Sequence, residues 1–382
     1  MEATGIICEY NPLHLGHKKQ IDTIRAMYPG DGIVCLMSGN YVQRGHPAII
    51  DKTLRAQAAV LCGADLVLEL PLTASLSSAE GFAAEGVRIL GSFCRRLCFG
   101  AENADKKAIL LTAKTLLSPS FSEALRQKLA NGLSFPAARQ SALCSLGLDG
   151  NILAQPNNIL AVEYCKAILH QNLAMEPFPI FRQGSYHDTT PDPENPSATA
   201  IRAQMLSLGS WSDYIPPETR HLLDGAALHT LSSAESAILY RLRTMSDEEF
   251  ETLPYGSEGL WRKLMHNARS CATLEQILTA TKSKRYTRTR LDRMVLCAFL
   301  GLTEENLSVP APYARVLAFN DTGRELLKSA RDSGWFPNAG ESLEHPYQQL
   351  ENRAGSLYSL FACHSGEPLQ LETNRRIFYH KR

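Results

Sequence analysis

The chain has 382 residues, of which 44% are hydrophobic and 20% are charged. This composition is typical of a folded globular protein and excludes a mostly disordered chain, and the length predicts about two domains. The 39 Lys and Arg residues balance the 39 Asp and Glu residues, so any contact with nucleic acid has to come from a local basic patch.

The sequence shows neither a membrane span nor a secretion signal. Its most apolar stretch, 58–72, is interrupted by Asp65 and Glu69, so it falls short of the roughly 18 uninterrupted apolar residues of a membrane helix. The first residues lack the basic segment of a secretion signal. The ten cysteines are scattered without the density of a disulfide scaffold. We therefore expect a cytoplasmic protein with reduced, mostly buried thiols and no membrane contact.

The first hundred residues alternate short apolar runs with segments of helical period. Strands are predicted at 4–9, 32–37, 65–70 and 96–99. One helix is predicted between the first two strands, and the next is predicted to start at Asp51 as its N-cap. Parallel strands joined by crossover helices give this pattern, so the region predicts an α/β fold.

A further helix is predicted after Pro156, with Asn157 as its N-cap. Its polar residues recur on one face and predict an exposed stripe, namely Glu163, Lys166 and His170. The other side of this helix is expected to be buried.

Beyond this helix, the stretch 187–195 is rich in proline and is typical of a surface loop. The pattern then becomes mainly helical, including segments at 234–244 and 273–281. We predict a Rossmann-like parallel-sheet domain over 1–205, followed by a mainly helical C-terminal domain over 206–382.

The most informative segment is 5–17, GIICEYNPLHLGH, which predicts a strand, a turn and the start of a helix. Ligands of doubly wound sheets bind at the carboxyl ends of the strands, and a helix N-terminus offers free N–H groups and partial positive charge to phosphate. His14 and His17 are three residues apart at this helix start, so both can face a bound anion. Gly16 allows close approach of a ligand to the backbone.

This segment resembles the signature of the HIGH-type nucleotidyltransferase superfamily, whose His-x-Gly-His motif follows the first strand. Further segments along most of the chain resemble one family within it, the tRNA(Met) cytidine acetate ligases. These segments are 38–45 (SGNYVQRG), 99–102 (FGAE), 155–160 (QPNNIL), 186–188 (YHD), 197–202 (SATAIR) and 283–287 (SKRYT).

The resemblance implies a reaction in two stages. ATP and acetate form acetyl-adenylate and pyrophosphate, and the acetyl group then passes to the wobble cytidine of elongator tRNA(Met), giving N4-acetylcytidine. ATP, acetate and elongator tRNA(Met) are the expected partners, and Mg²⁺ is expected with ATP. The first domain is then the nucleotidyltransferase domain, and the second binds tRNA.

The resemblance also implies which residues bind ATP. They are Ile7, Cys8, Glu9, Tyr10, Asn11, Pro12, His14, Gly16, His17, Gln20, Gly100, Arg182 and either Asn157 or Asn158. His14 and His17 are the expected catalytic residues, as hydrogen-bond donors to the phosphates in the transition state. Arg182 and Arg202 are expected phosphate clamps. The Lys-Met-Ser-Lys-Ser loop of the superfamily is absent, and the segment with Ser197, Thr199 and Arg202 is expected to take its place.

An RNA surface is predicted at the most basic window, 282–293, which has two Lys and four Arg against one Asp, a net charge of +5. Tyr286 in this window could stack on an unpaired base. The predicted nucleic-acid-binding residues are Lys282, Lys284, Arg285, Tyr286, Arg288 and Arg290.

Several residues have a plain structural alternative. Ser197 and Thr199 could be capping residues, while Arg44 and Lys52 could touch substrate or tRNA, or could instead be solvated. Glu69 at a strand end could face the active-site crevice, but it is expected to be a paired structural acid. Two other functions also fit parts of the pattern, namely adenylyl transfer to a phosphorylated small molecule and RNA binding without catalysis.

Overall fold

The computed structural model describes residues 1–182, 196–330, 336–364 and 372–381. The predicted loop at 187–195 and the segment 186–188 lie outside the described residues. The strands are β1 (Ala3–Cys8), β2 (Gly32–Ser38), β3 (Tyr41–Val42), β4 (His46–Pro47), β5 (Leu66–Leu70), β6 (Arg96–Ala101), β7 (Glu176–Phe181), β8 (Val316–Asn320) and β9 (Phe378–His380).

Helices cover both faces of the sheet and form most of the C-terminal part. They are α1 (Leu15–Met27), α2 (Lys52–Leu61), α3 (Leu72–Ser75), α4 (Ala79–Leu90), α5 (Lys106–Leu116), α6 (Pro119–Ala130), α7 (Phe135–Ser145), α8 (Pro156–His170), α9 (Ala198–Leu206), α10 (Arg220–Leu223), α11 (Glu235–Thr244), α12 (Asp247–Glu251), α13 (Leu260–Ser270), α14 (Leu274–Thr281), α15 (Arg288–Leu300), α16 (Glu304–Ser308), α17 (Asp321–Ala330) and α18 (Pro346–Tyr358). No helix of the described residues is long and apolar enough to cross a membrane.

The main sheet has seven strands in the described part of the chain, in the order β7-β6-β1-β2-β5-β8-β9. The five strands from the first half of the chain are parallel to one another. β2 and β5 are buried along their whole length, which explains why they consist of almost continuous apolar residues. The predicted α/β fold with four parallel strands joined by helices is confirmed.

Two strands of this sheet come from the C-terminal part of the chain. β8 pairs antiparallel with β5, and β9 pairs parallel with β8. The sheet is therefore mixed rather than purely parallel, and it crosses the domain boundary predicted at residue 205, which stays a prediction. β8 and β9 are short and flanked by helical segments. Nothing in the sequence therefore indicated that they would join a sheet whose first strand lies some 300 residues earlier.

The C-terminal part is mainly helical, as predicted, and has its own core. The two helices predicted at 234–244 and 273–281 are α11 and α14. Their apolar faces pack with α13, α15 and α18 around buried residues such as Ile238, Ile277 and Leu296. This second core touches the α/β half through Tyr41, whose hydroxyl donates to the carbonyl of Ala354 at 2.8 Å.

The start of α8 differs from the prediction. Its N-cap is Gln155, whose side chain makes no cap hydrogen bond, and Asn157 lies in the first turn. The free N–H groups are instead satisfied by Glu102, whose carboxylate accepts from the backbone of Asn157 at 3.2 Å and of Asn158 at 2.8 Å. An acid at a helix N-terminus also complements the helix dipole.

The exposed stripe predicted on α8 is partly wrong. Glu163 is buried, and its carboxylate pairs with Arg139 of α7 and with Lys166, both at 2.6 Å. Arg139 of α7 reaches this side of α8, so the carboxylate has a partner that the sequence of α8 does not contain.

A buried ion-pair cluster joins the end of the chain to the sheet. Lys52 is 3% exposed, and its Nζ lies 2.6 Å from Glu69 and 2.8 Å from Glu372. Neither alternative for Lys52 holds, because it is neither solvated nor part of the cavity described below. The expected pairing of Glu69 is confirmed. Arg375 completes the cluster by pairing with Glu372 and with Asp51, the N-cap of α2.

Candidate active site

A cavity of about 930 Å³ opens at the carboxyl ends of β1, β6 and β7. Such a cleft is the expected ligand site of an α/β sheet. Most of the residues predicted to bind ATP line it, namely Ile7, Cys8, Glu9, Tyr10, Asn11, His14, Gly16, His17, Gln20, Gly100, Asn157, Arg182, Ser197, Thr199 and Arg202. Pro12 and Asn158 do not line it.

The turn between β1 and α1 is held from below by Arg55 of α2. This buried guanidinium donates to the carbonyls of Glu9 at 2.6 Å, Ser38 at 3.1 Å and Ile50 at 2.9 Å, and also to that of Gly39. One side chain therefore fixes the ends of β1 and β2 relative to each other. Sequence reasoning missed Arg55. The only available signal was its position on the side of α2 that also carries small apolar residues.

The two histidines cap α1 in a reciprocal arrangement. Nδ1 of His14 accepts the backbone N–H of Gly16 at 3.1 Å, and Nδ1 of His17 accepts the backbone N–H of His14 at 3.3 Å. A neutral ring whose Nδ1 accepts a hydrogen bond carries its proton on Nε2. The start of the helix therefore sets the tautomer of both rings and leaves two Nε2–H groups as donors.

The donor of His14 is unused in the described part of the chain. The side chain is 2% exposed, and Nε2 has no hydrogen-bond partner there although the ring lines the cavity. Buried donors are nearly always satisfied, so this group indicates that a ligand acceptor completes the site.

Both imidazoles are held neutral. Burial, with Arg182 and Arg202 nearby, lowers the pKa of His14 from 6.5 to about 3. Burial also lowers the pKa of His17, with His14 and Arg182 adding to the effect. The rings stack with centroids 3.8 Å apart, a contact that two imidazolium ions would oppose.

Two arginines bring positive charge to the cavity from separate elements. Arg182 follows β7, and its Nη1 donates to Oδ1 of Asn157 at 3.3 Å. Arg202 of α9 donates to the carbonyl of Asn11 at 2.8 Å and to Oγ1 of Thr199 at 3.1 Å. The structure therefore brings the segment 197–202 against the motif after β1, although some 180 residues separate them.

Ser197 is the N-cap of α9, because its Oγ accepts the backbone N–H of Ala200 at 3.0 Å. The capping alternative therefore holds for Ser197, which also lines the cavity.

The two asparagines of α8 have different surroundings. Asn157 lines the cavity, whereas Asn158 is 3% exposed and its Oδ1 accepts the backbone N–H of Asn103 at 2.9 Å.

Comparisons with known proteins place the chain in a family. A family model described as HIGH Nucleotidyl Transferase matches residues 1–370. A tRNA(Met) cytidine acetate ligase of Clostridium novyi (strain NT) is 39% identical over 357 residues, which cover 88% of this chain and 89% of that protein. The chain belongs to the tRNA(Met) cytidine acetate ligase family. A more distant member of the family, from Acetivibrio thermocellus, is 32% identical over 371 residues, which cover 88% of this chain and 87% of the relative.

Solved structures extend the family assignment to the fold. Thermotoga maritima TmcAL, in its apo form, is 27% identical and superposes with a TM-score of 0.91 over 100% of both chains. The same Thermotoga protein bound with alpha-thio ATP gives a TM-score of 0.88, also over 100% of both chains. The predicted nucleotidyltransferase fold is thereby confirmed.

Two arginines of the basic window of this family member are paired with acids. Arg285 pairs with Glu258 at 2.5 Å, and Arg288 pairs with Glu275 at 2.7 Å and Asp292 at 2.8 Å. Of the other predicted residues, Tyr286 donates its hydroxyl to Glu258 at 2.9 Å, and Arg290 donates to the carbonyl of Tyr255 at 2.7 Å. The excess positive charge at the window surface is therefore smaller than the sequence count.

None of the six predicted nucleic-acid-binding residues lines the cavity. Thr289 and Arg293 of α15 do line it. Gln43 and Arg44, from the loop between β3 and β4, also line it. Sequence reasoning did not place Arg293 at the site. The available signal was that Arg293 lies four residues after Thr289 and so on the same face of α15. Nothing in the local sequence indicates which face of α15 meets the cavity.

Proposed function

We propose that this protein is an ATP-dependent ligase that activates acetate as acetyl-adenylate and transfers the acetyl group to the wobble cytidine of elongator tRNA(Met), forming N4-acetylcytidine. The observation that carries the proposal is the pair of Nε2–H donors of His14 and His17 at the mouth of α1, in a chain whose relatives are named for this ligase activity. Because its relatives are named for a tRNA-modifying activity, we also propose that the enzyme works in the cytoplasm.

In the first step, a carboxylate oxygen of acetate attacks the α-phosphorus of ATP. A new P–O bond forms, the bond from the α-phosphorus to the bridging oxygen breaks, and pyrophosphate leaves. Because an anion approaches an anion, catalysis consists mainly of positioning and of positive charge on the phosphates. The Nε2–H groups of His14 and His17 donate to the phosphate oxygens, and Arg182 and Arg202 clamp the charge that develops on them.

In the second step, the exocyclic amine of cytidine attacks the acetyl carbonyl of the adenylate. The C–N bond forms, the C–O bond to the phosphate breaks, AMP leaves, and the amine releases one proton. The preorganised Nε2–H donors serve this step as well, since negative charge moves onto the departing AMP phosphate.

Mg²⁺ is proposed to enter with ATP. In the described residues, no group of three or more His, Cys, Asp or Glu side chains is arranged to hold a metal ion. Sites for Mg²⁺ with nucleotides commonly use one or two carboxylates together with phosphate oxygens and waters. Two carboxylates lining the cavity, Glu80 and Glu163, are already paired with Lys166. The third, Glu9, accepts the backbone N–H of Gln43 at 2.9 Å but is not paired with a cation among the described residues, so it is the residue that would hold the ion, which would neutralise phosphate charge.

The tRNA is proposed to approach from the basic window of the helical part. Lys282 and Lys284 are exposed and have no acidic partner among the described residues, so they are the simplest phosphate contacts at its surface. Tyr286 is half-buried against Glu258, and its stacking role requires that this hydrogen bond be given up.

The test is to incubate the protein with ATP, Mg²⁺, labelled acetate and a tRNA pool, and to identify the modified nucleoside after digestion. We expect labelled N4-acetylcytidine in tRNA(Met), and acetate-dependent exchange of pyrophosphate into ATP without tRNA. Exchange that depends on a phosphorylated small molecule instead would establish the adenylyltransferase alternative. Tight tRNA binding with neither exchange nor transfer would identify a non-catalytic RNA-binding protein.

A further inference from the structure

The loop between β3 and β4 is pressed directly against the backbone of α15. Gly45 has φ +81°, and a Cβ built there would lie 2.4 Å from the amide nitrogen of Arg293. Only glycine fits this close approach. The carbonyl of Gln43 accepts from Nη1 of Arg293 at 3.4 Å, and Nε2 of His46 lies 3.8 Å from Asp292. The contact therefore fixes Arg44, in the middle of the loop, beside the cavity-facing side of α15.

Arg293 is buried with an unused donor. Its side chain is 8% exposed, lines the cavity and lies with its guanidinium carbon 4.8 Å from the centre of the Tyr255 ring. Its Nε has no hydrogen-bond acceptor in the described ranges. A buried guanidinium that keeps a donor unmet indicates an anionic ligand, because the unmet group would otherwise cost free energy.

Arginines influence both the nucleotide site and this junction. Arg182 and Arg202 both lower the pKa of His14, though less than burial does. Around His46, burial lowers the pKa most and Asp292 opposes it, while Arg202, Arg288 and Arg44 lower it further. Arg202 thus acts on a histidine of the nucleotide site and on a histidine of this junction.

We propose that Arg44 and Arg293 bind a backbone phosphate of the substrate tRNA at the rim of the cavity, beside the nucleotide that enters it. This inference rests on the proposed function. The phosphate could also belong to ATP. Arg293, however, belongs to the basic window, and the loop between β3 and β4 lines the cavity where α15 of the helical part also lines it. Arg285 and Arg288 of the window are paired with acids, whereas Arg293 lines the cavity and keeps a buried donor unmet.

The test uses Arg44→Gln and Arg293→Gln in the full chain, with Arg44→Lys and Arg293→Lys as charge-retaining variants. Arg324→Gln, on exposed α17, is the matched control. The KM for ATP is measured by acetate-dependent pyrophosphate exchange without tRNA, and the KM for tRNA by acetyl transfer. We expect each Gln variant to raise the KM for tRNA roughly tenfold, with a much smaller change in the KM for ATP, and each Lys variant to recover part of the loss.

The salt dependence gives a second readout. Loss of one phosphate contact should lower the slope of log affinity for tRNA against log salt by about 0.7 to 0.9. An unchanged slope and KM for tRNA, or a rise in the KM for ATP instead, would overturn the assignment. If Arg293→Gln does not fold, the Arg44→Gln variant tests the assignment, because the side chain of Arg44 is only half-buried. Absence of both exchange and transfer in the unaltered protein would instead overturn the proposed function.

Discussion

The imidazole rings of His14 and His17 lie stacked 3.8 Å apart, and the backbone N–H of His14 donates to Nδ1 of His17 at 3.3 Å. The second histidine is therefore both a helix-capping acceptor and, through Nε2, a donor to the cavity. These two duties can be separated by substitution, because asparagine and glutamine imitate the two ring nitrogens at different distances from the backbone.

We expect His17→Asn to lower the rate of acetate-dependent pyrophosphate exchange by roughly 100-fold or more, since it keeps an acceptor near Nδ1 but has no donor at Nε2. His17→Gln places an amide donor further out and should retain more of the rate. Exchange assays at saturating ATP compare the two. Equal rates, or a loss of tRNA affinity as large as the loss of exchange, would contradict the role of the Nε2–H group.

The lowered pKa of His14 predicts a pH-dependent stability. The folded protein keeps this ring neutral down to about pH 3, whereas the unfolded chain protonates it below 6.5. Between these values the unfolded state binds more protons, so the free energy of unfolding falls as pH falls, by up to about 1.4 kcal/mol per pH unit. Above pH 6.5 this contribution is constant.

The contribution of His14 is isolated with His14→Asn, because asparagine is a good N-cap and does not titrate. Urea unfolding between pH 4 and pH 8 should show a shallower decline on the acid side for this variant than for the unaltered protein. His266→Asn, at an exposed position of α13, is the control. Parallel curves for the unaltered protein and His14→Asn would show that the ring does not stay neutral on folding.

Asn157 lines the cavity and the neighbouring Asn158 is buried, so their alanine variants should change different properties of the protein. Asn157 bridges Glu102 at 2.6 Å and Arg182 at 3.3 Å beside the cavity, and Asn157→Ala should raise the KM for ATP roughly tenfold by releasing Arg182. Asn158→Ala removes the acceptor for Asn103 N–H and should lower the free energy of unfolding by about 1–3 kcal/mol. The reverse pattern in exchange assays and urea melts would reject this division.

The buried cluster around Lys52 predicts strong coupling between distant parts of the chain. Lys52→Met leaves Glu69 and Glu372 facing each other without the ammonium between them, and should lower the free energy of unfolding by about 3–5 kcal/mol. Adding Glu69→Gln should restore much of the loss, because Glu372 keeps Arg375 as a partner. The measurement is the urea midpoint at pH 7.

A matched control for this cluster is Lys328→Met, which removes an exposed ion pair with Glu325 and should change the stability by no more than about 0.5 kcal/mol. A Lys52→Met variant as stable as this control would mean that the buried carboxylates are accommodated without the lysine. A double variant less stable than Lys52→Met alone would contradict the assumed repulsion.

The sequence by itself determined the strand, turn and helix of 5–17 and hence the position of His14 and His17. Each of these features depends on residues within a few positions of one another, namely an apolar run, a proline turn and free N–H groups at a helix start. Four of the five parallel strands were predictable for the same reason, together with α1, α2, α8, α11 and α14. The sequence alone also pointed to the family, because its motifs are contiguous.

Only the tertiary structure decided which distant groups complete these local features. Glu102 rather than Asn157 satisfies the start of α8, Arg55 holds the ends of β1 and β2, and Arg293 rather than the predicted basic residues reaches the cavity. β8 joined the sheet for a similar reason, since its partner β5 is some 250 residues away. Such pairings depend on how elements pack, and their side chains carry no local pattern that names the partner.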